Sequence, residues 1–147
     1  LANRRAARST LAERIAGGQA VGLITVDLDH FKTVNDTWGH ERGDEALIAV
    51  AEVLRRTVRG DDVVARWGGE EFLIIASIAH GEAIELAERC RVAIESERPA
   101  GIALTATFGV AAHEPGDVVD VTLRRADELL YDAKRSGRNR VEADHGV

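Results

Sequence analysis

The order of apolar runs predicts an α+β fold with a ferredoxin-like βαββαβ core, a mainly antiparallel central sheet flanked by helices. Two observations carry this reading. Short strand-like runs alternate with longer stretches whose apolar residues recur at helical spacing, and the two middle runs are joined only by Gly68-Gly69-Glu70-Glu71. With 147 residues, 45% hydrophobic and 30% charged, and with no repeat or linker-like tract, residues 1–147 read as a single domain able to bury its own core.

The elements follow in order. Asn3 to Ala16 carries Leu11 and Ile15 at i, i+4 spacing and stops at Gly17-Gly18, a helix with a glycine end. Val21 to Val26 is a short apolar strand running into Asp27-Leu28-Asp29, whose carboxylates alternation places on one side of an extended chain. A polar loop or short turn follows. Asp44 to Val58 is a helix on Leu47, Val50, Ala51, Leu54 and Val58, with arginines near its end. Val63 to Trp67 and Phe72 to Ala76 form a hairpin, its glycines standing where a turn takes positive φ. Glu82 to Glu97 is helical, Ile102 to Ala112 strand-like, Val121 to Arg135 helical, and Arg140 to Ala143 a last strand closing the sheet. The end of the first strand and the central hairpin then meet, bringing Asp27, Asp29, Glu70 and Glu71 towards one place.

Composition narrows the function. Cys90 is the only cysteine, which excludes an internal disulfide and any multi-cysteine zinc site and points to a reducing cytoplasm. On a helix without a partner pattern, Cys90 reads as a small buried residue. His30, His80, His113 and His145 lack metal-ligand spacing, so a metal here sits on oxygens. The longest apolar run, Phe72 to Ala79, falls far short of the ~20 residues that span a bilayer. A net charge of −6 argues against nucleic acid or an anionic membrane as partner. The chain starts at Leu1 and contains no methionine, as expected of a domain excised from a longer protein. All but two of its 19 basic residues are arginine; Lys32 and Lys134 therefore invite a reason.

Clustered carboxylates repel, so a fold tolerates them where a cation neutralises them or where solvent separates them. Magnesium is the natural cation, and palm-type nucleotidyl transferases use it to hold a triphosphate and activate a sugar hydroxyl. Asn35 and Asp44 offer the paired donors and acceptors that read a base edge, aspartate being suited to the N1 and N2 donors of guanine; the same residues also serve as turn and helix-cap groups. Lys134 to Arg140 is a basic run after a helix, suited to an anion or to the helix dipole.

Taken together, Asp27-Leu28-Asp29-His30-Phe31-Lys32, Asn35-Asp36, Gly39-His40, Gly43-Asp44, Arg66-Trp67-Gly68-Gly69-Glu70-Glu71-Phe72 and Lys134-Arg135-Ser136-Gly137-Arg138-Asn139 resemble the GGDEF family of diguanylate cyclases in its GGEEF spelling. The resemblance spans nearly the whole chain and implies a fold related to nucleotidyl cyclase and polymerase palm domains. It implies condensation of two GTP molecules to cyclic di-GMP with release of two pyrophosphates, by a homodimer whose domains each hold one GTP. Asp27, the Leu28 carbonyl and Glu70 are then expected to hold Mg²⁺, with Mn²⁺ as a substitute. Glu70 is the expected acceptor of the 3′-hydroxyl proton, and Glu71 supports metal or ribose. Asn35 and Asp44 are expected on guanine with His40 near, Phe31 and Gly69 beside the substrate, and Lys32, Lys134 and Arg138 on its phosphates.

Arg59 and Asp62 resemble the family's inhibitory RxxD site, with five residues separating Asp62 from Gly68. The resemblance implies feedback by cyclic di-GMP there, with Arg89 as a second arginine. The entry segment matches only the tail of the family's DxLTGLxNRR motif, at Asn3-Arg4-Arg5; Thr107 stands where serine is frequent and Trp38 where phenylalanine is common. The expected setting is a cytoplasmic domain downstream of a sensor domain in a longer chain. The alternative is a catalytically silent module that binds GTP or cyclic di-GMP.

Overall fold

The computed structural model describes residues 1–144; His145, to which the sequence assigns no role, lies outside them. The elements are α1 (Arg4–Ala16), β1 (Gly22–Leu28), α2 (Phe31–Trp38), α3 (His40–Thr57), β2 (Val63–Arg66), β3 (Glu71–Ala76), α4 (His80–Glu97), β4 (Ala106–Ala112), α5 (Val119–Arg135) and β5 (Val141–Ala143), with a single 3₁₀ turn over Pro99–Gly101. The strands form one sheet in the order β2-β3-β1-β4-β5. Its first four strands have the ferredoxin-like arrangement, all antiparallel, and β5 adds in parallel to β4, which makes the sheet mixed.

β1 lies at the centre and is buried at every position, because helices cover both faces. Strand alternation sorts its side chains. Ile24, Val26 and Leu28 join Phe72, Ile74, Phe108 and Val110 against α3 and α4 through Leu47, Val50, Leu54, Leu86 and Ile94. Leu23 joins Leu73, Ile75 and Ala111 on the opposite face, against Ala7 and Leu11 of α1 and Leu123 and Ala126 of α5. Cys90 is fully buried in the first cluster, and burial pushes its thiol up to about 12, so it is an inert packing residue. No helix among the described residues is long and apolar enough to cross a membrane.

Two expectations from sequence need correcting. The segment read as a polar loop or short turn is helical: α2 occupies Phe31–Trp38, and α3 begins at His40 rather than Asp44. Its apolar residues are Phe31, Val34 and Trp38, at i, i+3 and i+7, a helical spacing carried by a segment of only eight residues; Phe31 and Val34 are buried and Trp38 is half exposed. Gly39, at φ 88°, closes one helix and opens the next, so Asp44 is not a cap. The strand read from Ile102 begins at Ala106; Ile102 and Leu104 are buried without pairing.

The chain before α1 also contributes to the sheet. Ala2 donates to the Val64 carbonyl at 3.2 Å and accepts from the Arg66 N–H at 3.0 Å, bridging Ala65 and covering the free edge of β2. Asn3 then caps α1, its side chain accepting from the Ala6 N–H at 2.8 Å.

The tightest approach between layers is α5 on β4. A Cβ at Gly109 would lie 2.5 Å from the Ala126 carbonyl and 2.6 Å from the Leu130 nitrogen. Thr25 fastens the same spot, its buried hydroxyl within hydrogen-bond range of Ala126 O at 3.1 Å and Gly109 O at 3.3 Å. Gly109→Ala therefore forces the helix outward. Overpacking of this kind costs about 1–3 kcal/mol, expected in thermal unfolding as a Tm lowered by roughly 3–10 °C.

Candidate active site

The site starts from the C-terminal end of β1. Asp27 is 7% exposed and pairs across the sheet with Glu71 of β3 on one side and Thr107 of β4 on the other. A carboxylate this buried requires a partner. It has one in Lys134 of α5, whose ammonium donates to Asp27 Oδ2. The hairpin tip reaches the same place, because the Leu28 N–H donates to the Glu70 carbonyl at 3.2 Å.

Glu70 and Glu71 both have pKa values raised above the ordinary carboxylate value. Burial is the largest cause and repulsion from Asp27 the next, while Lys134 pulls each down. Arg4 also opposes the rise at Glu71; its guanidinium stacks on Trp67 at 4.4 Å from the ring centroid. Asp127 of α5 is raised by burial and adds to the repulsion on Glu71. Four acids, Asp27, Glu70, Glu71 and Asp127, thus lie close enough to interact, opposed by Lys134 and, at Glu71, by Arg4. Among the described residues, however, no cluster of three or more acid, histidine or cysteine side chains stands ready at metal-binding spacing. The acids are near neighbours, not a closed cage.

Asp29 departs from the expected cluster. The strand ends at Leu28, and the Asp29 carboxylate accepts from Thr105 Oγ1 at 2.7 Å, Thr107 Oγ1 at 2.5 Å and the Asn139 N–H at 3.0 Å. Alternation alone does not reveal this, because these donors lie just before β4, on β4 and beyond α5.

The hairpin turn is braced from within. The Glu71 carbonyl accepts from Trp67 N–H at 2.9 Å and Gly68 N–H at 3.2 Å. Arg66 donates to the Gly68 carbonyl at 2.8 Å and also to the Gly69 carbonyl, with its guanidinium 5.8 Å from the Phe72 ring centroid. Neither Gly68 nor Gly69 adopts positive φ, contrary to the sequence expectation. Space is what glycine provides: a Cβ at Gly68 would meet Glu71 Oε2 at 2.8 Å, and around Gly69 nothing lies within 4 Å of that position. The bracing role of Arg66 went unread because an exposed arginine beside a turn carries no distinctive sequence signal.

The residues expected on the base gather at the α2–α3 corner. A Cβ at Gly43 would lie 1.9 Å from Asn35 Oδ1, so only glycine lets the Asn35 amide rest on α3 immediately before Asp44. Phe31 is buried beneath this corner, His40 is exposed at the start of α3, and Lys32 is exposed and paired with Asp36 at 3.4 Å. Arg138 is exposed on the turn after α5. A groove of about 620 Å³ between α2 and residues Arg98 to Thr105 contains Asp29 and Glu95 but none of Asp27, Glu70 and Glu71.

A second basic region lies apart in sequence, in the turn before β2. The Arg59 N–H donates to Asp62 Oδ2 at 3.0 Å, and the Arg59 side chain pairs loosely with Glu82 of α4 at 3.8 Å. Arg89 lies two helical turns beyond Glu82 and is exposed. Arg55 lines the adjoining 430 Å³ cavity with Arg59 and Asp62, a neighbour that sequence reading missed among so many arginines.

The raised carboxylates have a consequence for stability. An acid with a raised pKa holds more protons folded than unfolded, so its contribution weakens as pH climbs from the ordinary carboxylate value through the raised one. In metal-free buffer, Glu71→Gln is expected to match wild type in Tm near pH ~4, where glutamate is largely protonated, and to exceed it increasingly towards neutrality.

Comparison with known proteins identifies the family. The family described as "Diguanylate cyclase, GGDEF domain" matches residues 1–140. Diguanylate cyclase VdcA of Vibrio cholerae is 42% identical over 96% of this chain, and diguanylate cyclase DgcM of Escherichia coli is 41% identical over 89%. The chain spans 44% and 32% of those two proteins. Among solved structures, the GGDEF domain of DgcB from Caulobacter crescentus in complex with c-di-GMP superposes with a TM-score of 0.91 at 38% identity, covering 99% of this chain and 92% of that one. The active GGEEF domain of a diguanylate cyclase from Vibrio cholerae gives a TM-score of 0.85 at 32% identity, covering 100% and 99%. With its hairpin acids beside Asp27 and its family's sequence along nearly its whole length, this chain belongs to the GGDEF family of diguanylate cyclase domains.

Proposed function

We propose that this domain condenses two GTP molecules into cyclic di-GMP as one half of a dimer, with a divalent metal at Asp27 and Glu70. The observation that carries the reading is the mutual repulsion of Asp27, Glu70 and Glu71 around one ammonium, that of Lys134. All donors here are oxygens, and their negative charge exceeds what Lys134 neutralises. That set fits a hard divalent cation such as Mg²⁺, with Mn²⁺ as substitute, held by Asp27, Glu70 and the Leu28 carbonyl. When bound, the metal supplies charge stabilisation for the triphosphate and lowers the cost of deprotonating a sugar hydroxyl.

This chain's residues do the rest. Asn35 and Asp44 orient guanine from the α2–α3 corner, with His40 and Phe31 beside it. Lys32, Lys134 and Arg138 place positive charge around the phosphates, the main need of nucleotidyl transfer. Gly69 leaves the hairpin backbone open to the nucleotide. In each half-reaction the 3′-oxygen of one nucleotide forms a bond to the α-phosphorus of the other. The bond from that phosphorus to the bridging oxygen breaks, the electron pair leaves with pyrophosphate, and Glu70 takes the hydroxyl proton. Because each domain holds one nucleotide, both halves of a dimer are needed, and a sensor domain upstream in a longer chain would set how they meet.

Arg59, Asp62 and Arg89 form the proposed inhibitory site. Arginine pairs with phosphate and stacks on a base, and the Arg59 guanidinium makes a loose 3.8 Å ion pair with Glu82 that a ligand can replace. The DgcB structure in complex with c-di-GMP shows that a relative binds the proposed product.

The test is incubation with GTP and Mg²⁺ of the domain fused to a dimeric coiled coil, analysed by chromatography and mass spectrometry. Wild type is expected to form cyclic di-GMP, and Glu70→Ala to lose at least about a hundredfold in rate while still binding product. No dinucleotide from the fused wild type would replace this reading with that of a silent binding module. Arg59→Ala is expected to weaken product inhibition about tenfold or more with GTP affinity unchanged, measured as the inhibition constant for added cyclic di-GMP.

A further inference from the structure

We propose that Asp29 is a positioning residue: its buried carboxylate holds the turn that presents Arg138 to the substrate phosphates. The inference rests on the reading of Arg138 as a phosphate ligand. Asp29 is 6% exposed. It accepts from Thr107 at Oδ1 and, at Oδ2, from both Thr105 and the Asn139 N–H at 3.0 Å, leaving it poorly placed as a metal ligand.

The turn it holds is an unusual one. Gly137, Arg138 and Asn139 all have positive φ, at 123°, 62° and 45°. Two consecutive non-glycine residues in the left-handed region persist only where surrounding bonds over-determine them. Asn139 supplies those bonds. Its N–H also reaches Thr107 Oγ1 at 3.1 Å, its Nδ2 donates to Glu95 at 2.9 Å and its Oδ1 accepts from Arg91 at 3.0 Å. On the other side of the turn, Lys134 is fixed to Asp27. The two carboxylates ending the central strand therefore grip the basic segment at both ends, with Arg138 between them.

Threonine 107 separates a positioning role from mere packing. The junction uses its hydroxyl, so serine is expected to serve and valine, of similar shape, to fail. The probe is a GTP analogue with a methylene bridge between the α and β phosphates, titrated calorimetrically in Mg²⁺ into the whole 147-residue chain. Asp29→Asn and Thr107→Val are expected to weaken binding about ten- to hundredfold, the usual effect of removing an outer support of a binding group. Thr107→Ser binds as wild type. Combining Asp29→Asn with Arg138→Ala adds little to Arg138→Ala alone, as expected for residues acting through one another.

Wild-type affinity in Asp29→Asn, or full additivity with Arg138→Ala, overturns the inference. Unchanged binding in Arg138→Ala instead removes the phosphate reading beneath it. Should Asp29→Asn fail to fold, the Thr107 pair decides: loss with valine and retention with serine supports the role, and equal binding by the two overturns it.

Discussion

Two carboxylates buried at the end of the central strand are the constraint around which this domain is arranged. Neither Asp27 nor Asp29 is tolerable there without compensation, and each obtains it from a different part of the chain. Asp27 takes the ammonium of Lys134, and Asp29 takes two threonine hydroxyls and a backbone N–H beyond α5. One strand end thereby sets where the last helix stops and how the chain turns into β5. Fastening of this kind is directional in a way that apolar packing is not.

The layers supply the rigidity that such fastening needs. β1 is covered on both faces, and α5 comes so close to β4 that Gly109 has no room for a methyl group. A helix seated that tightly carries Lys134 to a defined place on the sheet. The hairpin on the other side is held by Arg66, which ties down the carbonyls of its own turn. The ammonium of Lys134 and the acids of the hairpin therefore arrive from opposite sides of β1 on firmly seated elements.

Charge in the site is deliberately unbalanced. Glu70 and Glu71 are pushed up by burial and by Asp27, and Lys134 relieves only part of that cost. A fold that keeps such repulsion gives up stability for a place where positive charge binds well, a recurring trade at functional sites. On the proposed reading, half-buried acids in place of a closed cage leave room for a substrate's own phosphates to share the cation.

Much of this was legible beforehand. Strand and helix order followed from apolar periodicity, and the hairpin followed from Gly-Gly between two apolar runs. The ordered motifs by themselves resemble the family. α2 escaped because it is only eight residues long and polar apart from Phe31, Val34 and Trp38, and the burial of the first two holds it. Asp29 was misplaced because spacing tells which residues lie near one another along a strand, not which distant donors will claim a carboxylate. Residue types and their order, then, determined the fold class, the family and the chemistry on offer, since these depend on local patterning. Only the tertiary structure decided that Asp27 faces Lys134 and Glu71 while Asp29 faces Thr107 and Asn139, because those partners meet only after β4 and the chain beyond α5 have packed against β1.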